Sequence, residues 1–355
     1  METKERRRID EGQGGGDSFF FLIFLFFFLV IESIFLWQEH MLSTLQKNKR
    51  PRLSDTNLSD ETWFAEILPC CDLKGLSKLS RTSTFFNNFW QRVKRACHDQ
   101  IDVKQNAKQH LSFHDSKIYL CCPTIERAMA LAQQISKIKS WNTALVLTET
   151  KLVKIRLDKG VHKIVGGQYG FMNVTCSHIT FVGKGKAKTT LLGGFYVNGK
   201  QNVKIEQLAV TNHDGLGLFC KGSGTNVDVT ECFFKKCQRS GMSVSRGATV
   251  TATRCDFMEN GNFGVACSGA NTKVRLNDST MHHNGRFGLI ASDHAVVDLH
   301  GTKTDIHSNK QVGIAATKNA KVNIHLPSQH NTTHDNVGGD RVQQLGGAIA
   351  NINAT

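Results

Sequence analysis

Residues 249–272 are TVTATRCDFMENGNFGVACSGANT, and residues 273–295 are KVRLNDSTMHHNGRFGLIASDHA. The two segments align position by position, and further segments of similar length align with them from residue 202 to residue 320. One column of this alignment is glycine, at spacings of 24, 23, 24 and 25 residues, and it consists of Gly217, Gly241, Gly264, Gly288 and Gly313. A repeat of this period predicts a fold of stacked units.

Four further columns of the alignment are apolar. The first two lie two residues apart with a polar residue between them, as in Val250-Thr251-Ala252. This alternation is typical of a strand with one face inward. The two columns are Ile179, Val203, Val227, Val250, Val274, Val297 and Val322, and Phe181, Ile205, Val229, Ala252, Leu276, Leu299 and Ile324. The other two follow the glycine column and are Leu218, Met242, Val265, Leu289 and Ile314, and Cys220, Val244, Cys267, Ala291 and Ala316. No repeat can bury its own apolar face, so the repeats are expected to stack around one core.

An asparagine stands four residues before three of the column glycines, at Asn260, Asn284 and Asn309. Asparagine tolerates left-handed backbone and glycine adopts it without steric cost, so both columns are expected at corners of the solenoid. The stacked asparagine side chains are also expected to hydrogen-bond the backbone of the next turn. An Asn-Gly pair alone more often marks a β-hairpin, but no antiparallel partner run lies between the recurrences.

These patterns predict an all-β solenoid, a single-stranded right-handed parallel β-helix of about eight turns over residues 123–355. Thr124 is the predicted N-cap of a helix over residues 124–138. The apolar stripe of that helix is Ile125, Ala128, Met129, Ala132, Ile135 and Ile138. Because the open first turn of a solenoid needs a cover, the stripe is expected to cap it. Residues 98–122 are polar and predict a linker or entry segment.

Composition limits the kinds of partner. The chain holds 44 basic and 30 acidic residues, a formal net charge of +14, and a basic solenoid invites a nucleic-acid partner. Few aromatic residues are interleaved with the basic ones, so we favour solvated lysines on the outer faces and expect no nucleic-acid partner. Cys220, Cys232, Cys255 and Cys267 fall on inward positions, where free cysteine serves as a small apolar filler.

An apolar segment precedes the repeats. Residues 1–17 predict a disordered basic leader, and residues 18–37 form an apolar run of about the length that a helix needs to cross a bilayer. A membrane anchor followed by a linker over residues 38–54 is the first interpretation. A secretory signal is the second, although no small-residue cleavage site follows. The third is translation from Met41, which would give a protein of the cytoplasm or nucleus.

Residues 55–97 predict a compact helical module. Its pattern consists of Glu61, Glu66, Ile67, Leu68, Asp72, Leu73, Leu76, Leu79, Arg81, Ser83, Phe85 and Phe86. The pattern resembles an F-box, a three-helix module that docks the adaptor of cullin-based ubiquitin ligases, although the Leu-Pro that usually precedes its first helix is absent. The adaptor-binding residues that the resemblance implies are Ile67, Leu68, Leu73, Leu76 and Leu79.

Residues 124–355 resemble the pectate-lyase-like superfamily of right-handed parallel β-helices, and most of all the repeats found behind F-boxes and in periplasmic copper-repeat proteins. The polysaccharide lyases and hydrolases of this superfamily need clustered carboxylates, or carboxylates with arginine or lysine, on one exposed strand face. The alignment places Thr280 one turn after Asp256, and Thr251 one turn after Asp228, so these carboxylates do not stack. The sequence therefore favours a protein without catalytic activity.

His325, His330, His334 and Asp335 are the candidate metal ligands, because their H-x4-H-x3-H spacing can gather ligands for a transition metal. Polar turn material is the favoured interpretation, and we expect neither a metal nor a cofactor. The pair His282-His283 has the same interpretation. Residues 183–190, GKGKAKTT, do not satisfy the phosphate-loop pattern and predict a basic turn.

The functional hypothesis is a non-catalytic recognition protein whose β-helix binds a protein partner. The F-box resemblance implies a substrate-selecting subunit of a cullin-based ubiquitin ligase, which would act in the cytoplasm or nucleus. The alternative is an extracellular or membrane-tethered carbohydrate-binding or carbohydrate-active protein of the pectate-lyase-like type.

Overall fold

The computed structural model describes residues 97–104, 110–114, 117–142, 153–325 and 333–352. All of them belong to the compact unit Asp60–Thr355. The predicted basic leader, apolar helix and linker of residues 1–54 lie outside the described residues, as does all but the last position of the F-box-like module. Within the described part of the chain, no helix is both long and apolar enough to cross a membrane.

The described chain forms three sheets, here called A, B and C. Sheet A has 12 strands, in the spatial order β2 His110–His114, β3 Lys117–Cys122, β1 Cys97–Val103, β4 Val153–Leu157, β7 Ile179–Val182, β10 Val203–Glu206, β13 Asn226–Thr230, β16 Thr249–Thr253, β19 Lys273–Asn277, β22 Val296–His300, β25 Lys321–His325 and β28 Ala348–Asn351. Sheet B has 8 strands, β5 Gly160–Lys163, β8 Thr189–Leu192, β11 Ala209–Thr211, β14 Phe233–Lys235, β17 Asp256–Met258, β20 Thr280–His282, β23 Asp305–His307 and β26 Thr333–His334. Sheet C also has 8 strands, β6 Phe171–Asn173, β9 Gly194–Asn198, β12 Leu218–Lys221, β15 Met242–Ser245, β18 Val265–Ser268, β21 Leu289–Ser292, β24 Ile314–Thr317 and β27 Arg341–Gln344.

The chain passes from sheet A to B to C in each of about 8 turns, and each strand pairs in parallel with its counterparts one turn away. The antiparallel pair β2–β3 at the N-terminal edge of sheet A is the exception among the described strands. The predicted β-solenoid is therefore confirmed, with three strands to a turn.

The register of the strands confirms the four apolar columns. Val227 pairs with Val203 on one side and with Val250 on the other, and all three side chains are buried. A further core column runs through sheet B and consists of Leu191, Val210, Phe234, Phe257, Met281 and Ile306. The sequence pattern did not show it, because most sheet B strands have only 3 residues and so place a single side chain inward.

A helix covers the N-terminal end of the solenoid. Helix α1, Ile125–Asn142, begins after Thr124, whose Oγ1 accepts a hydrogen bond from the backbone N–H of Arg127 at 3.3 Å. The helix contacts β1, β3 and β4. Its buried stripe consists of Ile125, Ala128, Met129 and Ala132, while the side chains of Ile135 and Ile138 lie outside those described. The predicted capping helix is present and ends four residues later than predicted.

The predicted linker of residues 98–122 differs from the structure, which has strands there. β1 pairs in parallel with β4, placing Ile101 beside Ile155, and Ile101 and Val103 are both buried. The ladder hydrogen bonds come from strands distant in sequence, so local polarity did not reveal them. The sheet therefore begins before residue 123.

Left-handed backbone occurs at the corners, but not at the predicted asparagines and glycines. It falls instead on the residue before each asparagine, with φ of 56° at Glu259, 56° at His283 and 53° at Ser308. The corners between sheets A and B have the same conformation at Gln207, Glu231, Arg254 and Asp278. Left-handed backbone is uncommon for such side chains, so the stacked turns impose it.

The last turn closes the C-terminal end of the core with polar residues. Ile314 pairs with Arg341, Ala316 with Gln343 and Ile324 with Asn351. Nη1 of Arg341 donates to Oδ1 of Asn351 at 3.2 Å, and Oε1 of Gln343 accepts from the backbone N–H of Ile349 at 2.9 Å. Ile349 pairs with Val322 and continues the first apolar column, so the polar layer ends the other three columns.

Candidate functional site

The predicted asparagines form a buried ladder at the corner between sheets B and C. Nδ2 of Asn260 donates to Oδ1 of Asn284 at 3.0 Å and to the carbonyl of Phe234, one turn earlier, at 3.1 Å. Asn284 and Asn309 repeat the arrangement, and Asn336, which the sequence alignment did not include, ends it. The predicted hydrogen bonds to the neighbouring backbone are therefore present. Because the ladder is buried and satisfied by its own partners, its role is structural.

The column glycines are required by packing. A Cβ added to Gly264 would lie 2.7 Å from the carbonyl oxygen of Gly288 and 3.0 Å from Nδ2 of Asn284. Gly241 has the same surroundings, with Asn260 Nδ2 and the Gly264 carbonyl both at 2.9 Å. These glycines let adjacent turns approach each other beside the asparagine ladder, so they too serve the fold.

Sheet C presents an uncharged outer face over four successive strands. Its outward residues are Ser243 and Ser245 on β15, Ala266 and Ser268 on β18, Ile290 and Ser292 on β21, and Ala315 and Thr317 on β24. The outer face of sheet A is different, because it carries Asp228, Lys273, Arg275 and Asp298. We call the outward residues of β6 to β24 the sheet C face.

Aromatic side chains form the N-terminal part of the sheet C face. The ring centroids of Tyr196 and Phe219 lie 5.6 Å apart, and Phe171 lies 6.1 Å from Tyr196 and 6.3 Å from Phe219. Nζ of Lys221 lies 5.2 Å from the centroid of Tyr196 and 5.8 Å from that of Phe219. All four side chains are partly exposed, so the cluster offers apolar surface and a cation to a partner.

A second aromatic pair borders the sheet C face at the corner that leads from sheet B. Phe263 and Phe287 stack with their centroids 5.4 Å apart, and the guanidinium of Arg286 lies 5.5 Å and 5.7 Å from the two rings. Each phenylalanine immediately precedes a column glycine. The pair therefore adds aromatic and arginine contacts along the long edge of the face.

The outer face of sheet B carries a stack of histidines. The rings of His282, His307 and His334 lie parallel in successive turns, 5.0 Å and 5.1 Å apart. Nδ1 of His282 and Nδ1 of His283 are 2.8 Å apart, so one of these two nitrogens carries a hydrogen and donates it to the other. His282-His283, predicted to be polar turn material, thus belongs to a stack of rings. The signal for the stack in the sequence is the recurrence of histidine at the same offset in three turns.

The histidines of this stack differ in the direction in which their surroundings shift the pKa. Burial, and then the neighbouring imidazoles, lower the pKa of His282, and burial lowers the pKa of His307. The pKa of His334 is raised, chiefly by the hydrogen bond from its ring to the carboxylate of Asp335, 2.7 Å away. The surroundings of His282 and His307 thus favour the neutral imidazole, whereas those of His334 favour the cation.

The candidate metal ligands do not form one cluster among the described residues. His325 lies on sheet A, where its Nε2 is 3.1 Å from Oδ1 of Asp298. His334 lies on sheet B, where its Nε2 is 3.2 Å from Oδ1 of Asp305. His330 lies outside the described residues. Across the part of the chain that the structure describes, no group of three histidine, cysteine, aspartate or glutamate side chains is placed to hold a metal ion.

The strand register also confirms the positions of the acidic residues. Asp256 pairs with Thr280, which donates to its carboxylate at 2.7 Å, and Nζ of Lys186 lies 2.7 Å from the same carboxylate. Asp228 pairs with Thr251, as the alignment predicts. Hydrolysis by two carboxylates needs the pair on neighbouring positions. In the described strands, no two carboxylates are register partners.

The adaptor-binding residues implied by the F-box resemblance lie outside the described residues. They are Ile67, Leu68, Leu73, Leu76 and Leu79, all within residues 55–97. Their assignment therefore stays a prediction from the sequence.

A family model and several solved structures are similar to the repeat region. Residues 166–340 match the family model described as right handed beta helix region, in agreement with the stacked parallel sheets. No curated protein matches the chain. Among solved structures, ORF18 of Geobacillus virus E2 is similar over 72% of this chain and 73% of its own, with 10% identity and a TM-score of 0.33. The A-module of the mannuronan C-5 epimerase AlgE4 of Azotobacter vinelandii covers 63% of this chain and 95% of its own, with 12% identity and a TM-score of 0.28. The A-module of AlgE6 from the same organism covers 65% and 96%, with 12% identity and a TM-score of 0.23.

Proposed function

We propose that this protein is a non-catalytic recognition protein and that its β-helix binds a protein partner on the sheet C face. The observation that carries the proposal is the absence of charge from the outward residues of β15, β18, β21 and β24, in a chain with a net charge of +14. Interface cores are depleted of charged residues and enriched in aromatic ones. Small side chains on flat strands also let a partner approach closely without clashes.

The sheet C face is smaller than one side of a standard protein interface, so a partner would also contact its borders. Strands lie about 4.8 Å apart, so the seven strands from β6 to β24 extend over about 29 Å, and four residues of strand add a width of about 13 Å. The product, about 400 Å², is half of the roughly 800 Å² that each side of a standard interface buries. Phe263, Phe287 and Arg286 at the corner supply part of the remainder, and residues of their types are frequent in interfaces.

The finer proposal is that the partner is a substrate and that the chain selects it for a cullin-based ubiquitin ligase. What supports this is the F-box-like pattern in residues 61–86, which precedes a scaffold suited to binding. A solenoid offers a long continuous surface without needing a pocket. The location that follows is the cytoplasm or nucleus, whereas a membrane anchor over residues 18–37 would need a cytoplasmic orientation of the β-helix.

Photo-crosslinking from two matched strand positions tests the sheet C face. A photoreactive residue is placed in the full chain at Ser268 on sheet C or, as the control, at Thr251 on sheet A, because both are partly exposed and face outward. We expect a defined protein adduct from position 268 and none from position 251. Adducts from position 251 alone would contradict the proposal.

Adaptor capture tests the ligase proposal separately. The full chain and the variant Leu73→Asp are each incubated with the purified cullin adaptor. We expect the wild-type chain to retain the adaptor and the variant to lose it, because a buried charge in an apolar interface is costly. Failure of both chains to bind would end the ligase proposal while leaving recognition by sheet C intact.

A further inference from the structure

The outer face of sheet A has a basic pocket near its N-terminal end. The pocket has a volume of about 370 Å³ and is lined by Gln100, Lys154, Arg156, Val182, Lys184 and Gln207. Lys154 and Arg156 point outward from the same strand, β4, and their neighbours in register are Gln100 and Asp102 on β1. Lys184 comes from the corner that follows β7. Strand β4 and the corner after β7 thus bring three cations to one concave surface.

The cations of the pocket are only partly neutralised. Asp102 is the carboxylate beside them, with its Oδ1 4.0 Å from Nε of Arg156 and 2.9 Å from the Gln100 amide that donates to it. Among the described residues, Lys154 and Lys184 have no ion-pair partner. Glu206 stands one strand away, beside Val182. Two positive charges therefore remain without a counter-ion in contact.

Hydrogen bonds hold the backbone at two of the cations that line the pocket. Arg156 is partly buried, on a strand paired on both sides, and the backbone N–H of Lys184 is held by Oγ1 of Thr189 at 2.9 Å. The turn of residues 183–188 lies within the predicted basic turn of residues 183–190 and brings Lys184 to the same pocket as Lys154 and Arg156. Gln207 also lines the pocket, and its amide donates to Glu231 at 3.2 Å.

We propose that this pocket binds a phosphate monoester, either on a phosphorylated side chain of a protein or on a small phosphorylated molecule. A phosphate monoester carries about −1.5 to −2 charges at neutral pH and three acceptor oxygens, which matches two uncompensated cations and several convergent donors. An arginine can bind two of those oxygens at once. A volume of about 370 Å³ also leaves room for part of the group that carries the phosphate.

The charge pattern around the pocket favours one phosphate over a phosphate chain. Along sheet A, the outward residue after Lys204 is Asp228, and the two are register partners. A nucleic acid would need a row of cations along its backbone, and Glu206 and Asp228 interrupt such a row. The pocket is independent of the sheet C face, so the two proposals stand or fall separately.

Direct titration of the full chain tests the pocket. The probes are inorganic phosphate, phosphoserine, a phosphoserine peptide, its unphosphorylated counterpart and a single-stranded oligonucleotide, with affinity measured by calorimetry at low salt. We expect the phosphorylated probes to bind, the unphosphorylated peptide not to bind, and Arg156→Gln or Lys184→Gln to weaken binding by about tenfold or more, since each removes a charged hydrogen bond. Lys273→Gln, on an exposed lysine of sheet A outside the pocket, is the control and should change nothing.

The titration distinguishes the two types of ligand and can also overturn the proposal. Tighter binding of the phosphopeptide than of phosphoserine identifies a protein ligand, and equal binding identifies a small phosphorylated molecule. The proposal is overturned if no phosphorylated probe binds, if Lys273→Gln weakens binding as much as Arg156→Gln does, or if a single-stranded oligonucleotide binds as tightly as the phosphopeptide. Because Lys184 is exposed, its variant keeps the test valid even if Arg156→Gln lowers stability.

Discussion

The side-chain amide of Asn284 donates to Oδ1 of Asn309, 2.9 Å away and one turn further along the solenoid. The same amide donates to the carbonyl of Phe257 at 3.0 Å, and Oδ1 of Asn284 accepts from both the backbone and the side chain of Asn260. One buried side chain therefore joins three successive turns. Turns of this fold hold together by such links as well as by their apolar columns.

Asn284→Ala is expected to lower the free energy of unfolding by about 3 kcal/mol or more, because each buried polar group left unpaired costs about 1–3 kcal/mol. Urea unfolding measures the loss. Asn226→Ala, at an exposed strand start, is the control and should change stability by less than about 0.5 kcal/mol. Equal losses in the two variants would refute a structural role for the ladder.

Gly264→Ala is expected to cost about 1–3 kcal/mol, because its Cβ would lie 2.7 Å from the Gly288 carbonyl and overpacking forces backbone shifts of that cost. Gly199, at φ +63° with nothing within 4 Å of an added Cβ, allows the contribution of backbone conformation to be measured alone. Gly199→Ala should therefore cost less, about 1 kcal/mol. A smaller loss for Gly264→Ala than for Gly199→Ala would show that packing does not require glycine in this column.

The histidine stack predicts that stability falls on mild acidification. His282 and His307 have lowered pKa values in the folded chain, so below the usual imidazole value of about 6.5 the unfolded chain binds more protons. Stability is therefore highest above about pH 6.5 and falls as the pH drops toward about 5.5. Urea midpoints at the two ends of this range measure the loss, and His307→Gln should reduce it.

His334 supplies the matched control for that titration. Its pKa is raised, so its contribution to stability is present below about pH 6.5 and disappears as the pH rises through its folded value. His334→Gln should therefore make the loss on acidification larger, opposite to the effect of His307→Gln. A shift of the same sign in both variants would contradict this assignment.

The polar layer at the C-terminal end predicts that the solenoid does not extend by end-to-end stacking. Replacing the layer with Arg341→Ile, Gln343→Ala and Asn351→Ile would continue the apolar columns to an open strand edge, and such edges associate. We expect light scattering to show larger assemblies of the triple variant than of the wild-type chain at equal concentration. The control carries the same types of substitution away from the end, at Lys273, Gln238 and Asn226, and should scatter like the wild-type chain.

The repeat made much of the fold predictable. Each column residue has the same neighbour one turn away, so a period of about 24 residues was enough to deduce the stacking of Val203, Val227 and Val250. The short strands of sheet B carry no alternation, and the strand β1 depends on pairing with β4, more than 50 residues along the chain. Local sequence contains neither kind of information.

The sequence by itself determined the solenoid, its inward columns, the asparagine ladder and the helix that caps the first turn, because in a repeat local periodicity and tertiary contact coincide. Only the tertiary structure decided that four neighbouring strands of sheet C share an uncharged outer surface, that three histidines stack, and that Lys154, Arg156 and Lys184 share one pocket. These features depend on side chains from separate elements meeting at the surface. No single segment of sequence contains this information, because the corners of the solenoid determine which strands and turns lie side by side on each face.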